Sequence, residues 1–245
     1  MIMPLKDGER LDDLHRNGYK IIQHPKGFCF GMDAVLLAAF AKVHKNENHM
    51  DFCCGNGVVP ILLAARYAGA SFYGMEIQEQ PAEMAKRSVA LNGLCDKISI
   101  IHGDIKEAAD IFGHGSFDVI TVNPPYMPPG SGFENESTEM AIARHELKCN
   151  LDDVALAASK ALRYGGRLYM VHRPGRLADI ICALRDHGLE PKILRFAQPR
   201  AGGAPNMLLI MAIRGGKPHL NMEPPLIIYD SKGVYTQEVR ELYYE

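Results

Sequence analysis

From residue 49 onward the chain alternates short apolar runs with amphipathic stretches, and no other feature narrows its possible folds so far. The runs His49–Cys53, Phe72–Met75, Ile98–His102, Phe117–Val122 and Arg167–Val171 have strand length. Between them, stretches opening at Val58 and Glu79, a short one near Ile105, and Leu151–Leu162 and Arg176–His187 carry helical periodicity. Strands linked through helices run parallel, so the pattern predicts an α/β fold: a mainly parallel sheet with helices on both faces. Two more strands, Ile193–Ala197 and Met207–Ile213, meet through Gly202-Gly203-Ala204-Pro205-Asn206. That hairpin-like connection predicts one antiparallel strand near an edge, in a sheet of seven strands. Ahead of the alternation, a polar helix at Glu9–Leu14, brief strands at Tyr19–Gln23 and Phe28–Phe30, and an amphipathic helix from Asp33 to Val43 are expected.

The chain has 245 residues, 47% of them apolar, which suits one α/β domain with a modest extension. It has no apolar run of ~18 residues, and Met1–Arg10 lacks the apolar stretch of a signal peptide, so a soluble cytoplasmic protein is expected. The six cysteines, at 29, 53, 54, 95, 149 and 182, form no C-x-x-C pair and have no His at metal spacing; reduced thiols and no structural metal are expected. Net charge is −2, yet residues 160–220 hold 11 Lys and Arg against 3 Asp and Glu, while residues 1–159 hold 14 against 21. Two readings fit that asymmetry: a cleft rim that tracks phosphates, or ordinary solvated side chains.

Asn123-Pro124-Pro125-Tyr126 directly follows the strand Phe117–Val122, on a loop at a strand's carboxyl end, where open α/β sheets bind their ligands. The prolines fix φ near about −65° and bias the residues before them toward extended backbone, which holds an amide and an aromatic ring stiffly together. The Asn123 side-chain oxygen and the Pro124 carbonyl can each accept one N–H of a planar molecule's amine, and Tyr126 can stack on its π system. This is the chemistry of a base-binding, amine-methylating site; the alternative is a Pro-rich surface turn. The following stretch, 127–139, is rich in Pro, Gly, Ser and Glu and reads as a mobile flap.

A second constellation points to the methyl donor. Asp51-Phe52-Cys53-Cys54-Gly55-Asn56-Gly57 ends the first strand of the alternation, and Gly55 and Gly57 allow close backbone approach to a ligand. Pro60 stands where a dinucleotide fingerprint needs its third glycine, and Asp51 would repel phosphate while stabilising a cation. Glu76 ends the next strand, where an acid binds ribose hydroxyls, and Asp104 follows the third, where it can accept a hydrogen bond from an adenine amine. Each acid alone reads equally as a helix cap or surface carboxylate. Together, at successive ends of one sheet edge, they fit S-adenosylmethionine.

In order and spacing, Asp51–Gly57, Glu76, Asp104 and Asn123–Tyr126 resemble the class I, Rossmann-like methyltransferases that act on an exocyclic or amide nitrogen. More narrowly, Phe28–Leu37, Ala143-Arg144-His145-Glu146, Val171–Leu177 and Asn206–Ile210 resemble the bacterial family that methylates adenine 37 of a valine tRNA at its exocyclic amine, a similarity running from about Arg10 to Tyr244. The resemblance implies Asn123, Pro124, Pro125 and Tyr126 as catalytic residues. It implies Asp51, Cys53, Gly55, Gly57, Glu76, Asp104, Phe30 and Asp33 as contacts of S-adenosylmethionine. It departs from the pattern at Cys53, where the superfamily usually has Gly, and at Met32, where a small hydroxyl residue is common. The implied partner is a tRNA anticodon loop, with Arg173, Arg176 and Arg200 as phosphate contacts or solvated surface residues, no membrane and no obligate protein partner. The implied domains are an extension over 1–48 packed on the cofactor site, a catalytic domain over 49–220 and a C-terminal extension over 221–245. His145 and His172 stand isolated and read as capping or packing residues, so neither a triad nor a metal is expected. Rival readings are a protein glutamine methyltransferase, a ribosomal RNA guanine methyltransferase, a DNA adenine methyltransferase and a noncatalytic cofactor- or RNA-binding module.

Overall fold

The structure, a computed structural model, describes residues 5–25, 29–124 and 149–244. An antiparallel pair, β1 (Arg10–Asp13) and β2 (Lys20–Gln23), precedes helix α1 (Met32–Phe40). The main sheet is then built from β3 (Asn48–Phe52), β4 (Ser71–Glu76), β5 (Ile98–His102), β6 (Phe117–Val122), β7 (Leu162–His172), β8 (Leu189–Gln198) and β9 (Met207–Arg214). Helices α2 (Val58–Arg66), α3 (Glu79–Leu91), α4 (Ala108–Phe112), α5 (Leu151–Ala161) and α6 (Leu177–Asp186) lie between the strands. The order across the sheet is β5-β4-β3-β6-β7-β9-β8, with β9 antiparallel to both neighbours and the other neighbouring pairs parallel. Apolar side chains pack on both faces: Leu37, Leu63 and Phe72 belong to one core, Phe52, Met75, Phe117 and Leu162 to the other.

Two expectations need correction. Glu9–Leu14 is not a helix. Its residues Arg10–Asp13 pair with Lys20–Gln23, through a turn in which His15, Asn17 and Gly18 all take positive φ (53°, 51° and 68°). A polar ribbon with one buried end has too few apolar residues to reveal its period, and cross-strand pairing overrides local propensity. Phe28–Phe30 is not a strand in its described part: Cys29 and Phe30 are irregular, while Phe28 lies outside the described residues. The sheet also gains two strands over the seven expected. β10 (Asn221–Met222) and β11 (Leu226–Ile227), of two residues each, pair parallel with β8.

Specific polar contacts hold the ends of the chain to the sheet layers. Arg87 on α3 donates to Glu9 at 2.8 and 2.5 Å and to Glu83, one turn earlier, at 2.7 and 2.8 Å. Buried Arg16 donates to the Leu242 carbonyl at 3.0 Å in the last helix, α7 (Gln237–Tyr244). Three rings, Tyr229, Tyr235 and Tyr243, stack in succession with centroids 5.3 and 5.6 Å apart and planes tilted by 20° and 18°. The strand order reverses between β3 and β6, and the crevice at their carboxyl ends is where this topology binds ligands.

Candidate active site

At the carboxyl end of β3, Asp51 is buried and lies across from Thr121 on β6. Thr121 Oγ1 donates to Asp51 Oδ1 at 2.6 Å, and His49 Nε2 lies 2.8 Å from the same hydroxyl. A hydroxyl has one proton; with that proton on the carboxylate, His49 donates through Nε2–H. Burial pushes the His49 pKa down to about 3, so the ring is neutral at physiological pH. Burial likewise pushes Asp51 up to about 8, the Thr121 bond opposing and the nearby Glu76 charge adding to the rise. His49 and Thr121 lie within apolar strand patterns, and only the cross-strand register reveals their link to Asp51.

The loop after β3 turns through three positive φ angles, Cys53 (56°), Gly55 (54°) and Gly57 (83°). Cys53 adopts a backbone conformation that favours glycine, which gives physical content to the departure seen at this position. A Cβ on Gly57 would stand 3.1 Å from the Ala85 methyl, where α2 begins close against α3. Glu76 locks the loop: its Oε2 accepts the Gly55 N–H at 2.9 Å and its Oε1 the Gln78 N–H at 2.9 Å, with only 4% of the residue exposed. Each carboxylate oxygen keeps a second lone pair for a ligand hydroxyl. Asp104 caps the 3-10 turn Ile105–Glu107, accepting from the Lys106 N–H at 3.0 Å, so the capping role is realised. Ile77, directly after Glu76, is a large apolar residue left 38% exposed.

The β1–β2 ribbon reaches this loop through Gln23. Its side-chain oxygen accepts from the Phe30 N–H at 2.9 Å and from Asn56 Nδ2 at 3.4 Å. Asn123, half-buried beyond β6, donates from Nδ2 to Asp33 Oδ2 at 3.0 Å, and Pro124 behind it is buried. Pro125, Tyr126, the stretch 127–139 and residues 143–146 lie outside the described residues. The structure thus brings Asp51, Glu76, the glycine loop, Asp33 and Asn123 to one edge of the sheet, with Phe30 tethered beside the loop.

Among the described residues, five of the 11 Lys and Arg of residues 160–220 stand in ion pairs. Arg163 meets Asp118, Arg167 meets Glu47 at 2.5 Å, Arg176 meets Asp179 at 2.6 Å, Arg185 meets Glu190 at 3.2 Å and Arg195 meets Glu238 at 2.5 Å. Arg173 and Arg200 stand beyond the ends of β7 and β8, on the edge that carries Asn123; Arg173 donates to the Asn206 carbonyl at 3.3 Å and Arg200 is exposed. His172 is buried, its pKa pushed down to about 4 chiefly by burial, and its Nδ1 accepts the Arg173 N–H at 2.8 Å. Among the described residues no cluster of three His, Cys, Asp or Glu could hold a metal ion, and no helix is long and apolar enough to cross a membrane.

A parallel sheet reversing at β3/β6, with buried acids and a glycine turn on one side and an Asn-Pro loop on the other, has the architecture of a Rossmann-like methyltransferase. Residues 20–179 match the methyltransferase small domain, and the chain belongs to that family. A solved structure, a predicted O-methyltransferase from Agrobacterium tumefaciens, superposes with a TM-score of 0.71 at 24% identity over 86% of this chain and 95% of that one. The tRNA1(Val) (adenine(37)-N6)-methyltransferase of Porphyromonas gingivalis is 31% identical over 61% of this chain, and the alignment spans 60% of that protein's length. The Haemophilus influenzae protein of the same name is 26% identical over 91% of this chain and 93% of its own length. The methyl donor of the family is S-adenosylmethionine. The donor set fits it: two buried carboxyl groups stand at adjacent strand ends, Glu76 with lone pairs left for vicinal hydroxyls and Asp51, which a cation draws into its charged form.

Proposed function

We propose that this protein is an S-adenosylmethionine-dependent N-methyltransferase that methylates the exocyclic N6 of an adenine in a tRNA anticodon loop, position 37 of a valine tRNA. The observation that carries this reading is Asn123, half-buried at the carboxyl end of β6 beside the acid-lined crevice, with its amide held at 3.0 Å by Asp33. Asp51, Glu76 and Asp104, with the backbone of Cys53, Gly55 and Gly57, hold the cofactor. S-adenosylmethionine, when bound, supplies a methyl group on a positively charged sulfur, already a strong electrophile.

The remaining work falls to the chain's own residues. An adenine amine is a poor nucleophile because its lone pair is delocalised into the ring. The Asn123 oxygen and the Pro124 carbonyl accept its two N–H bonds and help the nitrogen pyramidalise, while Tyr126 clamps the base. The nitrogen's new bond to the methyl carbon replaces that carbon's bond to sulfur, whose charge is thereby neutralised, and one amine proton then leaves to solvent; positioning and oriented acceptors supply most of the rate. The target base must leave its stack, which costs only a few kcal/mol in a single-stranded loop and more in a duplex. Arg173 and Arg200 contact phosphates of that loop, and a tRNA substrate places the enzyme in the cytoplasm.

The test is methyl transfer from labelled S-adenosylmethionine to total tRNA lacking modification at adenine 37, read by nucleoside mass spectrometry. N6-methyladenosine appearing in valine tRNA is the expected result. Label in added protein but not in RNA would move the reading to a glutamine methyltransferase, and no transfer to either would leave a binding module.

A further inference from the structure

We infer that Asp33 is a positioning residue that sets which end of the Asn123 amide faces the target amine. The inference rests on the reading of Asn123 as that amine's acceptor. Asp33 lies in the first turn of α1, 90 residues before Asn123 in the chain, yet its Oδ2 accepts from Asn123 Nδ2 at 3.0 Å. Its Oδ1 accepts the Ala34 N–H at 3.0 Å, so both carboxylate oxygens are anchored. Gly31 belongs to the same device: a Cβ there would lie 2.7 Å from Asp33 Oδ1 and displace the carboxylate.

The chemical point is directional. A carboxylate only accepts hydrogen bonds, so Asp33 can face only the NH2 end of the amide, and the Asn123 oxygen is turned the other way. The terminal torsion of an asparagine is soft and roughly two-fold, so without that constraint the NH2 end would also be presented, and two NH2 groups cannot bond each other productively. The negative charge also polarises the amide and enriches its oxygen in electrons. As the new N–CH3 bond forms, the amine's N–H bonds become more acidic, and a richer acceptor is favoured in the transition state over the ground state.

Asp33→Asn tests this with the shape kept, because an amide at 33 can donate as well as accept. The expected result is a kcat lower by about 10- to 30-fold, with KM for tRNA and the Kd for S-adenosylmethionine each within about twofold of wild type. Combined with Asn123→Ala, Asp33→Asn should cost nothing further, since its effect passes through Asn123. Penalties that multiply in the double variant, or a Kd for S-adenosylmethionine weakened about tenfold by Asp33→Asn alone, would make Asp33 a cofactor ligand and overturn the inference. A second readout needs no substrate. In protein labelled with 15N-asparagine, one side-chain amide proton of Asn123 should be shifted downfield and protected from exchange, and should lose both properties in Asp33→Asn. An unchanged amide signal would overturn the inference even in an active enzyme. Absence of any methyl transfer by the wild type would instead overturn the proposed function and leave the amide signal to decide the role of Asp33.

Discussion

The two flanks of the β3/β6 boundary handle charge in opposite ways. On the β3–β4 side, Asp51 and Glu76 are buried and surrounded by backbone donors and a threonine hydroxyl, with a neutral histidine behind. On the β7–β9 side, arginines lie toward the surface and are mostly matched one by one with carboxylates. Exposed pairs of that kind contribute about 0–1 kcal/mol each and soften with salt, whereas a buried carboxylate keeps its field. The β3–β4 flank is therefore a buried cavity whose charge is set by the protonation of Asp51, and the other flank is a screened surface that phosphates can rearrange.

That contrast can be broken experimentally, beginning at the seam. Asn123→Ala should lower turnover at least about 100-fold, roughly 3 kcal/mol of transition-state stabilisation, and leave cofactor affinity nearly intact. Near-normal turnover in single-turnover assays would remove Asn123 from the reaction. Glu76→Ala should weaken S-adenosylmethionine binding about 30-fold by calorimetry, since it removes a charged acceptor and leaves the Gly55 N–H without its bond. Unchanged affinity would mean that the ribose lies elsewhere.

Asp51 sharpens the comparison through pH. With its ligand-free pKa pushed up to about 8, it binds a proton that a cationic ligand must expel. Affinity for S-adenosylmethionine should tighten about tenfold between about pH 6 and 7, where the ligand's own amino group stays charged. Stability should move oppositely. A carboxyl whose folded pKa lies above its unfolded value favours the folded state when protonated, so that contribution is fully present below the unfolded pKa and is lost as pH rises through about 8. Asp51→Asn should flatten both trends; a sloping affinity in that variant would assign the linkage to another group. The smallest effect belongs to the screened flank. Arg200→Ala should raise KM for tRNA about threefold and reduce its salt dependence by about one ion, with cofactor affinity unchanged. A cofactor effect there would erase the distinction between the flanks.

Legibility follows the same division. Asp51, Glu76 and Asn123 each end or follow a strand whose period is visible in a handful of neighbours, so the parallel sheet and its acid-lined edge can be read from local sequence. Thr121 and His49 cannot, because inside an apolar strand they look like tolerated polar core positions until cross-strand register puts them on one face. The Asp33–Asn123 bond joins residues whose separation in sequence carries no periodic signal. β10 and β11 are too short for any pattern, and β1 is too polar. Composition likewise showed a basic segment without showing that Arg163, Arg167 and Arg195 are answered by Asp118, Glu47 and Glu238 from distant elements.

The stacked rings of Tyr229, Tyr235 and Tyr243 give the molecule an optical signature of its own. With 10 tyrosines and no tryptophan in the chain, near-ultraviolet absorption is dominated by phenol chromophores. Three of them lie nearly parallel at 5.3 and 5.6 Å, close enough for their transitions to couple. Near-ultraviolet circular dichroism therefore reports the docking of the segment from β11 to α7, about 100 residues beyond Asn123, without any label and independently of events in the crevice.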